Sequence, residues 1–308
     1  MRTSRLLREA AFGLLLATVA TSLSGCSTGH SVTSGDGGTI RVVAAENFWG
    51  SIAAQLGGDR VTVASIIDSP DADPHDYEPT TADGRAIATA DLVLVNGIGY
   101  DTWASRLAAA NPVDGRVLLT VGDLVGVADG GNPHRWYNPA DVRAVVAAIT
   151  RAYQRIDSAD SAYFVQQKAA FETTATAAYQ AVSAEIRTKY AGTKVGASES
   201  IFAMIAPALG LDLVTPSGFL TAVSQGTDPT AADKATVDAQ IRDRVIKVYV
   251  YNAQNATPDV QGQIAAARAH GIQVTTITET MTPATAPWEQ WQTTQLVALR
   301  DALAAGTR

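Results

Sequence analysis

Short apolar runs rich in β-branched residues recur along the chain, each followed by a stretch whose apolar positions keep helical spacing. The runs fall at 40–45, 61–67, 91–96 and 116–121, and again at 194–197, 211–214, 247–251 and 273–277. They are largely continuous rather than alternating, the pattern of parallel strands covered on both faces, and their alternation with helices predicts an α/β fold. Between the two groups the period changes. Val142, Val145, Val146, Ile149 and Tyr153 follow helical spacing, and Asp157 to Asp160 reads as a break with a new cap. Phe164, Phe171, Ala175, Ala178 and Val182 then continue the helical stripe, and 161–190 contains neither Pro nor Gly. That run predicts one uninterrupted helix of about 45 Å. The expected organisation is an α/β lobe at 39–160, a linking helix at 161–190 and a second α/β lobe at 191–308.

The amino-terminal pattern is different. Arg2, Arg5 and Arg8 precede an apolar stretch at 10–20, which ends at Leu23-Ser24-Gly25-Cys26. A positive start, a short apolar run and small residues before a cysteine read as an export leader at 1–25, with Cys26 as the acylation site of a lipoprotein. An ordinary secretory leader with an incidental cysteine is the alternative. The apolar run falls short of the roughly 20 residues a transmembrane helix needs. The Gly- and Ser-rich stretch at 26–38 reads as a flexible tether. Cys26 is the only cysteine, so no internal disulfide is available.

The net charge is −7, and loss of the leader removes three Arg and one Glu, making the remainder still more acidic. No basic stripe is present to meet phosphates, so nucleic acid is not an expected partner.

Only four histidines occur, and two stand in near-matching frames: Asp73-Pro74-His75-Asp76-Tyr77-Glu78-Pro79 and Asn132-Pro133-His134-Arg135-Trp136-Tyr137-Asn138-Pro139. A proline before each histidine stiffens the loop, and imidazole suits zinc, manganese and iron. His75 follows the second expected strand and His134 the fourth. In the other half, Glu199 closely follows the 194–197 strand and Glu279 ends the 273–277 strand. Ligands of open α/β sheets bind outside the carboxyl ends of strands, so two imidazoles and two carboxylates are expected to meet between the lobes. Glu199 has an alternative role as a cap for the helix that follows it, and Glu279 as a solvated strand-end acid. His30 lies in the tether, and His270 reads as the end of a surface helix. Asp73, Asp76 and Asn138 are candidates for orienting the histidines.

With these residues in place, the chain resembles the substrate-binding lipoproteins of zinc- and manganese-type ABC importers over essentially all of its length after the leader. DPHDYEPT at 73–80 resembles the family's first ligand motif. NPHRWYNP at 132–139 resembles the second, with Asn138 where an acid is usual. ASESIF at 197–202 matches the third. The segment at 91–99 resembles the strand and glycine turn after the first motif, and Thr227-Asp228-Pro229-Thr230 resembles a family turn. The resemblance places ligands at His75, His134 and Glu199. Relatives often supply a fourth as an aspartate after the last strand, but 280–288 contains no acid. Glu279, Glu289 or a water must serve, with Glu279 preferred.

The resemblance implies two lobes joined by a rigid helix, with a divalent metal, manganese or zinc, as cargo held between them. It also implies delivery to a permease whose ATPase is a separate chain, and a monomer anchored through Cys26 on the outer face of the cell membrane. Two carboxylates lean the donor set toward manganese, while zinc accepts the same donors. The chain carries no Gly-x4-Gly-Lys-Ser/Thr loop, His-Glu-x-x-His or Gly-x-Ser-x-Gly motif, so it is not expected to be an enzyme. The alternatives are a surface adhesin or structural lipoprotein with the metal as a staple, and a secreted metallohydrolase.

Overall fold

The structure, a computed structural model, describes residues 38–69 and 77–308. The expected export leader, Cys26, the expected tether up to residue 37, and Asp73, His75 and Asp76 lie outside the described residues. Among those described, no helix is long and apolar enough to cross a membrane.

The first half alternates strands and helices: β1 (Ile40–Glu46), α1 (Asn47–Gly57), β2 (Val61–Ile67), α2 (Thr81–Thr89), β3 (Leu92–Val95), α3 (Thr102–Ala110), β4 (Val117–Thr120) and the short α4 (Val121–Val125). A helical section follows: α5 (Pro139–Ile156), α6 (Ser161–Ala170) and α7 (Ala177–Tyr190). The second half contains β5 (Lys194–Ala197), α8 (Ser200–Ala203), β6 (Asp212–Leu213), α9 (Ser217–Ser224), α10 (Ala231–Arg242), β7 (Val248–Asn252), α11 (Pro258–Ala269), β8 (Gln273–Ile277) and α12 (Trp288–Gly306). All eight runs expected as strands form strands, within a residue or two at their ends.

Both sheets are parallel and have the same order, β2-β1-β3-β4 and β6-β5-β7-β8. Val42 registers with Val63 on one side and Leu92 on the other. Val195 registers in the same way with Leu213 and Val248. The central strands β1, β3, β5 and β7 are almost wholly buried, as double-sided coverage requires. In each sheet the chain leaves the first strand to one side and returns on the other. A crevice therefore opens at the carboxyl ends of β1 and β3, and of β5 and β7.

One hydrophobic cluster runs through both halves. It begins at Phe48, Trp49 and Trp136, passes Tyr153, Phe164 and Tyr179, and ends at Phe202, Val250, Trp288 and Leu303. Polar bonds cross the same boundary: Trp288 N–H donates to Ser51 Oγ at 2.9 Å, and Tyr137 O–H donates to the Thr278 carbonyl at 2.6 Å.

The helical section departs from expectation at one place. The run 161–190 is not a single α-helix, because a π turn at Phe171–Ala175 separates α6 from α7. Thr176 N–H reaches back five residues to the Phe171 carbonyl at 3.1 Å, and its hydroxyl lies 3.0 Å from the Glu172 carbonyl. The wider turn absorbs one extra residue, so the buried stripe runs Phe164, Phe171, Tyr179, Val182 and Ile186. Ala178, expected on the core side, is exposed. The register of the core resumes one residue later than an ideal helix would allow.

Asn138 also takes a different role. Its side-chain oxygen accepts from Ala140 N–H at 2.9 Å and Asp141 N–H at 3.3 Å, capping α5 ahead of Pro139. It does not bond His134. Asn138→Ala should lower stability by about 1 kcal/mol, seen as a fall in melting temperature of roughly 2–4 °C. Metal affinity should stay unchanged in a parallel titration.

Glu46, at the carboxyl end of β1, is fully buried. Burial first, and Asp101 beside it second, hold its carboxyl well above the usual 4.5. The unfolded chain ionises it at the ordinary value, so from there upward the native state keeps the extra proton. Its contribution to stability is fully present below about pH 4.5 and is lost as pH rises toward the folded value. Glu46→Gln should therefore flatten the decline of melting temperature between pH 5 and pH 8 and raise it most at the alkaline end. An unchanged slope would show that Glu46 is ionised in the fold.

Candidate metal site

Site geometry starts at the end of β3. Asn96 and Gly97 make a tight turn whose N–H groups both donate to the Asp101 carboxylate, at 2.6 and 2.7 Å. Gly97 has φ +73°, and a Cβ there would stand 2.7 Å from the Thr120 methyl, so the position demands glycine. The turn carries Tyr100 into the interior, where it is 1% exposed. The Asn96 side chain works in two directions: it accepts from the Trp49 indole at 3.1 Å and donates to the Pro133 carbonyl at 3.0 Å. Thus a strand end holds the loop that presents His134.

His134 is 1% exposed. Its ring sits edge-on to Trp136, with centroids 5.3 Å apart, and Trp136 stacks on Phe48 at 3.8 Å. Nδ1 lies 2.8 Å from Asn132 Oδ1. The opposite nitrogen, Nε2, faces Glu279 Oε1 at 3.5 Å. Two donors each about 2.1 Å from one tetrahedral ion lie about 3.4 Å apart, so this spacing fits a shared metal. Tyr100 O–H donates to the same Glu279 oxygen at 3.0 Å. Burial, followed by the Glu279 and Glu46 carboxyls, pushes the Tyr100 phenol well up, which keeps it a donor.

The second half positions its carboxylates from the end of β7. Asn252 donates through Nδ2 to Glu199 Oε2 at 3.1 Å, while its own N–H donates to Ser198 Oγ at 3.1 Å. Two residues on, Gln254 Oε1 accepts from the backbone N–H of Glu279 at 2.7 Å and of Thr280 at 2.9 Å. One short segment therefore orients both acids. Glu199 occupies the position before α8, but its side chain makes no capping bond there, and it is 2% exposed.

The structure thus brings His134 and Glu279 together. Glu199 is tied to them through its neighbour Ser200, whose hydroxyl stands 3.4 Å from His134 Nδ1 and whose carbonyl accepts from Asn132. Glu289 is elsewhere, on the first turn of α12, where it accepts from Gln55 Nε2 at 2.8 Å. His270 ends α11, as expected of a surface helix. Among the described residues no three His, Cys, Asp or Glu side chains come close enough to hold a metal. The positions of Asn132, Asn252, Gln254 and Tyr100 in the site did not emerge from the sequence. Asn252 had a readable signal, since it closes a buried strand at a crevice; Asn132 had another, as an Asn two residues before the histidine it bonds.

Comparison with known proteins follows the same lines. The manganese-binding lipoprotein MntA of Halalkalibacterium halodurans is 28% identical over 146 residues, 46% of this chain and 48% of that protein. The metal ABC transporter substrate-binding lipoprotein FimA of Streptococcus parasanguinis is 33% identical over 129 residues, covering 38% and 41%. The chain therefore spans somewhat under half the length of these curated relatives. Among solved structures, the Mn-bound periplasmic metal-binding protein of Candidatus Liberibacter asiaticus superposes with a TM-score of 0.71 at 17% identity, covering 86% of this chain and all of that one. The binding protein FpvC of Pseudomonas aeruginosa, in complex with Mn2+, gives 0.70 at 19%, covering 86% and 98%. At these identities the structures speak to the fold. Residues 42–302 match the family described as zinc-uptake complex component A, periplasmic, and the chain belongs to that family.

Proposed function

We propose that this protein captures a divalent transition metal, manganese or zinc, outside the cytoplasmic membrane and delivers it to an ABC permease with a separate ATPase. The observation that carries this reading is the buried His134 Nε2 facing Glu279 Oε1 at 3.5 Å, the spacing of two donors on one ion. The ligand set is His75, His134, Glu199 and Glu279. Two carboxylates offset the charge of a divalent cation, and neutral amides orient the donors without adding charge of their own. The relatives named as manganese and metal transporter lipoproteins support the same cargo.

In this reading the lobes are 39–160 and 191–308, and the 161–190 segment joins them. The continuous apolar core favours small adjustments over wide hinge opening. Cys26 anchors the chain as an acylated lipoprotein, and the protein acts as a monomer that binds and releases rather than catalyses.

Saturating manganese or zinc, at about a thousand times the dissociation constant, adds roughly 4 kcal/mol to the native state. For a chain of this size the melting temperature should rise on the order of 10 °C. His134→Ala and Glu279→Gln should each remove most of that rise, and Glu289→Gln should keep it. A rise that survives both of the first two substitutions would place the metal elsewhere. Cys26→Ser should move the protein from the membrane fraction to the soluble one in its native host; retention on the membrane would refute the lipid anchor.

A further inference from the structure

His134 is presented by a loop that belongs to the first sheet, yet its ring is fastened by a side chain that also grips the second half. Asn132 Oδ1 accepts from the His134 backbone N–H at 3.1 Å and lies 2.8 Å from Nδ1. Its Nδ2 donates to the Ser200 carbonyl at 2.7 Å. The orientation of this amide is not ambiguous. A backbone N–H can only donate and a carbonyl can only accept, so turning the amide over would set donor against donor and acceptor against acceptor. With Oδ1 so placed, the contact at Nδ1 is satisfied only if Nδ1 carries the ring proton. The lone pair of the neutral imidazole then belongs to Nε2, the atom that faces Glu279. Ser200 Oγ is a weaker competitor at 3.4 Å and is engaged with Ser224 Oγ at 2.8 Å.

The other end of the amide is equally consequential. Ser200 directly follows Glu199, so one side chain links the imidazole of the first half to the backbone beside a carboxylate of the second. We propose that Asn132 is a positioning residue with two functions: it selects Nε2 of His134 as the coordinating atom, and it sets the separation between His134 and Glu199. This rests on the metal role assigned to His134 above.

The test uses the mature protein, read first without metal. Ring 15N correlation spectra of the metal-free wild type should show His134 as a single tautomer protonated at Nδ1. Asn132→Ala should give a mixture of tautomers, faster amide exchange across 198–203, and manganese binding weakened about 10–100-fold. Asn132→Asp keeps the acceptor and loses the donor, so it should restore the tautomer while leaving exchange at 198–203 elevated. Ser200→Ala should leave the tautomer unchanged. A wild-type ring protonated at Nε2 would overturn the proposal without any variant being needed. So would an unaltered tautomer in folded Asn132→Ala, or unaltered exchange at 198–203 in both Asn132 variants. The metal-free spectrum separates this proposal from the one on which it rests: the expected tautomer in a protein that binds neither manganese nor zinc would sink the transport reading and leave only the fixing of the His134 ring by Asn132.

Discussion

Parallel strands buried on both faces leave almost nowhere to place polar chemistry except at strand ends. Every feature of the site follows from that constraint. β1, β3, β5 and β7 are sealed by helices, so the first residues free to be polar are those where each strand runs out. The two sheets share one strand order, and the same positions recur: Asn96 follows β3, and Asn252 closes β7. Each uses its amide to hold a donor in place, Asn96 through the Pro133 carbonyl and Asn252 through Glu199 directly. The likeness is one of topology, since the amides act on different ligands.

Neutral amides suit this task. A buried charge placed to orient a neighbouring side chain would itself need a partner. Asn132, Asn252 and Gln254 fix geometry and contribute no charge. Two further acids, Glu46 and Asp101, are buried beside each other at the same end of the first sheet, and burial pushes both carboxyls up.

The shared core decides how much the halves can move. A two-lobed binding protein with separate cores can open by swinging about its link. Here Trp136, Phe202 and Trp288 belong to one packed cluster, with hydrogen bonds at Ser51, Thr278 and Ser200 crossing the same boundary. Close-packed interiors resist large displacement, so motion between the halves is confined to side chains and loops near the strand ends.

The sequence by itself determined the α/β class, the eight strands and the segments from which His134, Glu199 and Glu279 come, because burial of parallel strands and proline-stiffened loops are local properties written in composition and spacing. It could not place the π turn at Phe171–Ala175, since the stripe from Phe164 to Val182 fits an ideal helix almost as well, and only packing against Trp288 shows that Tyr179 rather than Ala178 faces inward. It could not separate Asn138 from Asn132, both two to four residues from a histidine, because one amide turns toward a helix start and the other toward a backbone carbonyl 68 residues away. Between Glu279 and Glu289, ten residues apart, the sequence preferred Glu279 for its strand-end position, without showing what either side chain meets. Tertiary structure supplies the contacts: Glu279 lies against His134, and Glu289 accepts from Gln55. Partners distant in sequence are set by the way whole elements dock, and no local pattern encodes them.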